Sequence, residues 1–158
     1  MPLTVRRVSG SVSTDDILPA RYKHLSTDPA VLSAHVFEAM VPGLATRLDG
    51  SIIVGDAIFG LGSSREQAVT SLRAAGVAAV AAPAFGRIFY RNCWNNGLPA
   101  IECDLGGVAD GAEIELDLDA GTLEASGATF DFPAPTGWIR TVVDAGGLLA
   151  WVKENQRG

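Results

Sequence analysis

Cysteine is scarce in this chain. The two thiols among 158 residues, Cys93 and Cys103, are too few for a disulfide framework and too few to hold an iron–sulfur cluster or a structural zinc alone. Cys93 falls in an expected helix and Cys103 at the end of an expected strand, so both read as buried thiols. Histidine is equally sparse: His24 and His35 are too isolated to be metal ligands, and no metal site is expected on this chain. Positive charge is also short, with 12 Lys and Arg against 18 Asp and Glu, a formal net charge of −6 and no dense basic patch. That balance disfavours nucleic acid and anionic membranes as partners. No apolar run has the length of a membrane span and the first residues lack the form of a signal peptide, so a cytoplasmic location is expected. Internal repeats and low-complexity linkers are missing too, which leaves residues 1–158 as a single domain able to bury its own core.

What is present alternates. Apolar and polar residues alternate over 3–8, as in a strand, and a turn-rich segment follows at 9–16. Asp28 and Pro29 have the form of an N-cap and first helical residue for a helix over 30–40, ended by Pro42 and Gly43. The run 51–55 reads as a strand, 68–75 as a helix closed by Gly76, 77–82 as a buried strand, 85–95 as a helix, and 98–103 as a strand. Strands alternating with helices imply βα units and a partly parallel sheet. The last third differs: short strands over 113–118, 122–126 and 129–132 are separated by Gly-containing turns, as in an antiparallel meander. A final helix begins near Val142 and runs to Lys153, with a break at Gly146 and Gly147.

One stretch concentrates chemistry: Gly60-Leu61-Gly62-Ser63-Ser64-Arg65-Glu66-Gln67 lies between the strand at 51–55 and the helix at 68–75. A helix start exposes unpartnered N–H groups and the positive end of the dipole, so a carboxylate or phosphate is favoured there. Arg65 adds a planar fork suited to a carboxylate. An ordinary helix start explains the same residues, because Ser63 with Glu66, or Ser64 with Gln67, has the spacing of a capping box. Spacing alone leaves both readings standing. The stretch lacks the Gly-Lys-Ser/Thr ending of a Walker loop and the Gly-x-Ser-x-Gly order of a nucleophile elbow.

Two other segments flank it: Ser13-Thr14-Asp15-Asp16-Ile17-Leu18-Pro19-Ala20-Arg21-Tyr22 before, and Pro83-Ala84-Phe85-Gly86-Arg87-Ile88-Phe89-Tyr90-Arg91-Asn92 after, followed by Asn95-Asn96-Gly97-Leu98-Pro99. In this order the segments resemble the swivel domain of the aconitase superfamily, and in length the chain resembles the free-standing small subunits of the isopropylmalate isomerase and homoaconitase kind. The resemblance runs from about residue 4 to the final helix. It implies an α/β fold, a three-layer β/β/α swivelling domain whose mixed, mostly parallel sheet carries the C-terminal β-meander. It implies a hydro-lyase that dehydrates a hydroxy di- or tricarboxylate to an enoate and rehydrates it at the neighbouring carbon. It implies no cofactor bound by this chain. A large subunit would carry a [4Fe-4S] cluster and form a heterodimer or heterotetramer, without which this chain is inactive.

Carried over by position, Ser63 matches the residue whose deprotonated hydroxyl removes a proton next to a carboxylate, Ser64 a substrate-binding neighbour, and Arg65 the arginine that grips a carboxylate. With Ser64 and Gln67 capping the helix, Ser63 is left as the base. Arg21 is the candidate for a second carboxylate clamp, or else a solvated loop cation. Asp15 and Asp16 are expected to shape their loop, and Arg87 and Arg91 to form a solvated face or support the site. The loop Tyr22, Lys23, His24 and Leu25 occupies the place where this family selects the substrate side chain, and its sequence departs from the Tyr-Leu-Arg-Thr common in isopropylmalate enzymes. Gln67 stands where many members have His, and Ile58 and Leu61 replace more polar or smaller residues. The expected substrate is 3-isopropylmalate or 2-isopropylmalate, with homoaconitate, citraconate or methylmalate, and dimethylmalate as alternatives. A non-catalytic anion-binding domain of the same fold is the competing class. A docking face for the large subunit is expected, with Trp94, Trp138 and Trp151 as contributors unless they are buried.

Overall fold

A computed structural model describes residues 2–22, 24–62 and 65–156. In chain order the strands are β1 (Leu3–Val8), β2 (Val12–Ser13), β3 (Ser51–Gly55), β4 (Ile58–Leu61), β5 (Val77–Ala82), β6 (Ala84–Phe85), β7 (Ala100–Glu102), β8 (Glu113–Asp117), β9 (Thr122–Ala125) and β10 (Ala128–Asp131). The α-helices are α1 (Thr14–Ile17), α2 (Pro29–Leu32), α3 (Glu66–Ala74), α4 (Arg87–Asn95), α5 (Gly137–Asp144) and α6 (Leu148–Gln156), with short 3₁₀ turns at Ala20–Tyr22, Ser33–His35 and Leu44–Arg47.

The strands form two sheets. The larger has seven strands in the order β10-β9-β8-β1-β3-β5-β7, and the smaller has three in the order β2-β4-β6. In the large sheet β1, β3, β5 and β7 are parallel neighbours, whereas β8, β9 and β10 add an antiparallel meander on the β1 edge. Strand β3 is buried along its whole length, as a parallel strand covered on both faces must be. Its side chains alternate between two cores: Ile53 joins the helices and the small sheet, whereas Ile52 and Val54 join the meander side. The first core draws Phe59 and Phe85 from the small sheet, Leu72 and Phe89 from helices, and Val80 from the large sheet. Sheet, sheet and helices thus share one packed interior, as the three-layer expectation requires.

Several expected boundaries move. Between the strand at 51–55 and the helix at 68–75 lies a further strand, β4, in which Ile58 is half-buried and Leu61 is 39% exposed. The helix expected over 30–40 stops at Leu32, because Phe37 takes φ 57 and turns inward. Its N–H donates to the Ile17 carbonyl (2.8 Å) and its ring is fully buried against Phe59. The helix expected over 85–95 starts only at Arg87, after Ala84 and Phe85 have paired with β4. The strand expected at 98–103 is shorter, since Leu98 N–H still closes the end of α4 on the Cys93 carbonyl (2.8 Å). The last helix begins at Gly137 rather than Val142, and breaks as expected where Gly146 and Gly147 take φ +90 and +122.

Burial also corrects two expectations. Cys93 is buried, but Cys103 is only partly so. Trp94 is buried, whereas Trp138 is half exposed and meets Trp151 edge-on at 4.7 Å. Phe59 sits at the centre of an aromatic cluster, with ring centroids 6.3 Å from Phe37, 6.3 Å from Phe85 and 5.6 Å from Phe89. Phe59→Ala is therefore expected to cost about 3–5 kcal/mol in urea unfolding, and a loss under about 1 kcal/mol would contradict its central place in the core.

Candidate active site

The three strands of the small sheet run parallel, and each leads toward a helix: β2 into α1, β4 toward α3, and β6 into α4. The three segments singled out in sequence are therefore side by side at one edge of that sheet, the carboxyl end of its strands, where open α/β sheets bind ligands. Close packing enforces the alignment. Gly60 takes φ +87, and a Cβ there would run into the Phe89 ring. A Cβ at Gly86 would run into the Gly60 carbonyl, and Gly86 N–H donates to the Phe59 carbonyl (2.9 Å).

The turn at α1 is set by reciprocal capping. Asp16 N–H donates to Ser13 Oγ (3.0 Å), and Ser13 N–H donates to Asp16 Oδ2 (2.9 Å). Ile17 and Leu18, both fully buried, anchor the turn in the core. Asp16 is thus used up in holding the loop, as expected. Asp15 does more: its Oδ1 accepts from Ala20 N–H (3.1 Å) and from Arg65 Nη2 (2.6 Å). Arg65 Nη1 donates to the Leu18 carbonyl (2.9 Å).

Arg65 is the pivot of the arrangement. Its side chain is 15% exposed against 62% for Asp15, so the cation is shielded while its partner reaches solvent. Arg65 itself is the N-cap of α3, with extended backbone and no side-chain cap bond. With Arg65 at the N-cap, Ala68 occupies the third helical position, and Glu66 accepts from Asn96 Nδ2 (3.2 Å); the serines of the two expected capping boxes lie outside the described residues. The extended backbone at Arg65 accompanies the reach of its guanidinium across to the α1 turn. Ser63 and Ser64, the expected base and substrate ligand, lie outside the described residues, as does Lys23 of the specificity loop.

Arg21, the second clamp candidate, follows directly on Ala20, whose N–H Asp15 holds. Its guanidinium is exposed and lies 4.9 Å over the Tyr22 ring, and Nη2 donates to the Tyr22 hydroxyl (3.2 Å). Tyr22 stacks on His35 with centroids 4.0 Å apart, His35 Nδ1 is 3.1 Å from Glu38 Oε2, and Arg21 Nη2 is 4.0 Å from the same oxygen. His35 ends a 3₁₀ turn in place of the expected helix, and Glu38 carries no motif signal in the sequence. They lie 13 and 16 residues from Tyr22, and no local periodicity connects them. His24 and Leu25 are exposed just beyond Tyr22, where Leu25 N–H donates to the Tyr22 carbonyl (3.0 Å). Arg87 and Arg91 are exposed on α4 and line a groove with Tyr90, Trp94, Asn95 and Ile139, apart from the Arg65 contacts.

Residues 22–105 match the family model of the aconitase C-terminal domain. The chain belongs to the aconitase C-terminal domain family. Its relatives include dehydratase small subunits. It is 39% identical to the 2,3-dimethylmalate dehydratase small subunit of Eubacterium barkeri, over 98% of this chain and 97% of that one. It is 40% identical to the 3-isopropylmalate dehydratase small subunit of Sulfurimonas denitrificans, over 98% of this chain and 94% of the relative. The crystal structure of 3-isopropylmalate dehydratase (leuD) from Methanocaldococcus jannaschii superposes with a TM-score of 0.88 at 34% identity, covering 99% of this chain and 96% of that one.

The described residues do not fit the task of ligating a metal ion or cluster. Cys93 is buried in α4, and burial pushes its thiol pKa up, away from the thiolate a metal requires. The Cys103 thiol is raised as well, by burial and by Asp104 and Asp131. Among the described residues no group of three His, Cys, Asp or Glu side chains is placed to hold a metal ion. No helix among them is long and apolar enough to cross a membrane.

Around Arg21 the electrostatics are favourable. The Tyr22 hydroxyl, by hydrogen bonding, holds the Glu38 carboxyl below the usual carboxylate range, and His35 adds to the effect. A carboxyl whose folded pKa is lowered stabilises the fold fully above its ordinary pKa and loses that contribution as pH falls through the lowered value. Glu38→Gln should therefore flatten the acid side of the stability profile below the ordinary carboxylate range and leave its neutral shape unchanged. Thermal melts from neutral pH down to about pH 3 check this; the same acid slope in both proteins would contradict it.

Proposed function

We propose that this chain is the small subunit of a 3-isopropylmalate dehydratase, which acts with a large subunit to move a hydroxyl between neighbouring carbons of an isopropyl-substituted malate. The observation that carries the reading is Arg65, a shielded guanidinium fixed by Asp15 and the Leu18 carbonyl immediately after Ser63 and Ser64. A hydroxy dicarboxylate needs each of its carboxylates neutralised while a C–H bond is broken, and one net anionic chain can do this only with locally fixed cations.

The roles follow from that chemistry. Arg65 binds the carboxylate next to the carbon that loses its proton, and the N-terminal end of the α3 dipole adds positive potential beside it. The Ser63 oxygen removes that proton. A free serine is far too weak a base, so the positive surroundings that favour an alkoxide also favour the charge developing on the carboxylate. Ser64 hydrogen-bonds the substrate, and Arg21 holds the second carboxylate. The loop of Tyr22, Lys23, His24 and Leu25 meets the substrate's alkyl group, with Leu25 supplying an exposed apolar side chain. A [4Fe-4S] cluster on the large subunit would supply Lewis acidity toward the substrate hydroxyl. Two unpaired thiols accord with a cytoplasmic setting for such a complex.

A second reading, 2,3-dimethylmalate as substrate, is favoured by the Eubacterium barkeri relative, which matches nearly the full chain. The two substrates differ by one carbon and in branching, an isopropyl group on one carbon against a methyl on each of two, and one methylene in an apolar pocket discriminates by only about 1–3 kcal/mol.

Co-production with a cluster-bearing large subunit under anaerobic conditions, followed by hydration assays, tests the proposal. Isopropylmaleate should be hydrated fastest among isopropylmaleate, citraconate, dimethylmaleate and aconitate, and Ser63→Ala should lower kcat by about 10²–10⁴-fold. Faster hydration of dimethylmaleate supports the second reading. Full activity of Ser63→Ala would overturn the assignment of the base, and no activity with any large subunit would favour a non-catalytic anion-binding domain.

A further inference from the structure

We propose that Glu38 is a positioning residue that sets the orientation of Arg21, acting through Tyr22 and His35. The inference rests on the reading of Arg21 as a carboxylate clamp.

Arg21 is 65% exposed, and a long, exposed cation has many rotamers of similar energy. Its guanidinium nevertheless makes three defined contacts with two residues. It lies over the Tyr22 ring at 4.9 Å, donates to the Tyr22 hydroxyl at 3.2 Å, and stands 4.0 Å from Glu38 Oε2. Tyr22 is in turn held flat by His35, with rings 4.0 Å apart and 15° from parallel, and packs against the main core. The Glu38 carboxylate ties the group together, since Oε2 lies 3.1 Å from His35 Nδ1 and 4.0 Å from Arg21 Nη2.

The backbone carrying His35 and Glu38 is itself fixed. Phe37, between them, adopts φ 57, a left-handed conformation that a bulky residue rarely takes. It holds that conformation because its N–H is bonded to the Ile17 carbonyl (2.8 Å) and its ring is fully buried. Ile17 belongs to the α1 turn that also carries Asp15 and the Leu18 carbonyl, the two partners of Arg65. Both arginines are thus referred to one turn: Arg65 by direct contact, and Arg21 through Phe37, Glu38, His35 and Tyr22. A carboxylate at Glu38 also draws the Arg21 guanidinium to one side of the Tyr22 ring, leaving its remaining N–H groups for a substrate.

Kinetics of the assembled enzyme with isopropylmaleate, or with dimethylmaleate if that is hydrated faster, test the proposal. Arg21→Ala should raise KM about ten-fold or more with kcat within about two-fold, the pattern of lost binding energy shared by ground and transition states. Glu38→Ala should raise KM about five-fold with the same unchanged kcat, and Tyr22→Phe, which keeps the stacked ring and removes the hydroxyl, should move KM in the same direction. In the double variant Arg21→Ala with Glu38→Ala, KM should equal that of Arg21→Ala alone, because a residue acting through Arg21 has nothing left to orient. If Arg21→Ala raises KM and neither Glu38→Ala nor Tyr22→Phe does, or if the two effects multiply in the double variant, the positioning role is overturned while the clamp stands. If Arg21→Ala leaves KM unchanged, the clamp reading fails and the positioning role with it.

Discussion

Three short parallel strands decide where the Arg65 guanidinium and the α1 turn meet. Strands β2, β4 and β6 contribute only two, four and two residues, yet their parallel pairing sets the starts of three helices on one edge. The pairing depends on close backbone approach. The Gly60 carbonyl fills the space a side chain at Gly86 would need, and the Phe89 ring fills the space a side chain at Gly60 would need. Because the small sheet shares its core with helices and with the large sheet, its edge is fixed with respect to the rest of the molecule.

On that edge, one arginine links segments 50 residues apart. Arg65 satisfies Asp15 and the Leu18 carbonyl at once through two separate nitrogens of its planar fork. The arrangement fixes the cation's position before any substrate arrives, and preorganised charge is worth more to a reaction than charge that must be gathered during it. The Leu18 carbonyl and the exposed Asp15 carboxylate hold the guanidinium at two nitrogens, and its remaining N–H groups are the donors a substrate carboxylate would use.

Much of this was legible in the sequence, and the parts that were not share a cause. The strands β1, β3 and β5 follow from alternation or from uninterrupted apolar runs, and the end of α3 from Gly76, because each signal is local. The small sheet has no such signal, since a two-residue strand has no period. The stop at Leu32 is dictated by Phe37 burying its ring against Phe59, a contact 22 residues away that outweighs helix propensity. In the site, motif order pointed to Arg65 and Arg21 as candidates, whereas the bond of Asp15 to Arg65 had no sequence signal, since the two lie 50 residues apart. The contacts of Glu38 and His35 with Tyr22 depend on a turn that the sequence pattern does not disclose.

The account makes the fork of Arg65 indispensable, rather than its charge alone. Arg65→Lys in the complex with a large subunit tests this most directly, because a lysine keeps the cation but gathers its donors on one nitrogen, whereas Arg65 reaches Asp15 and the Leu18 carbonyl from two and keeps further donors for a substrate carboxylate. A fall in kcat/KM of about 100-fold or more, with the melting temperature of the chain little changed, is the predicted result, corresponding to about 2.7 kcal/mol of lost transition-state stabilisation. A kcat/KM within about three-fold of the unmodified enzyme would contradict it.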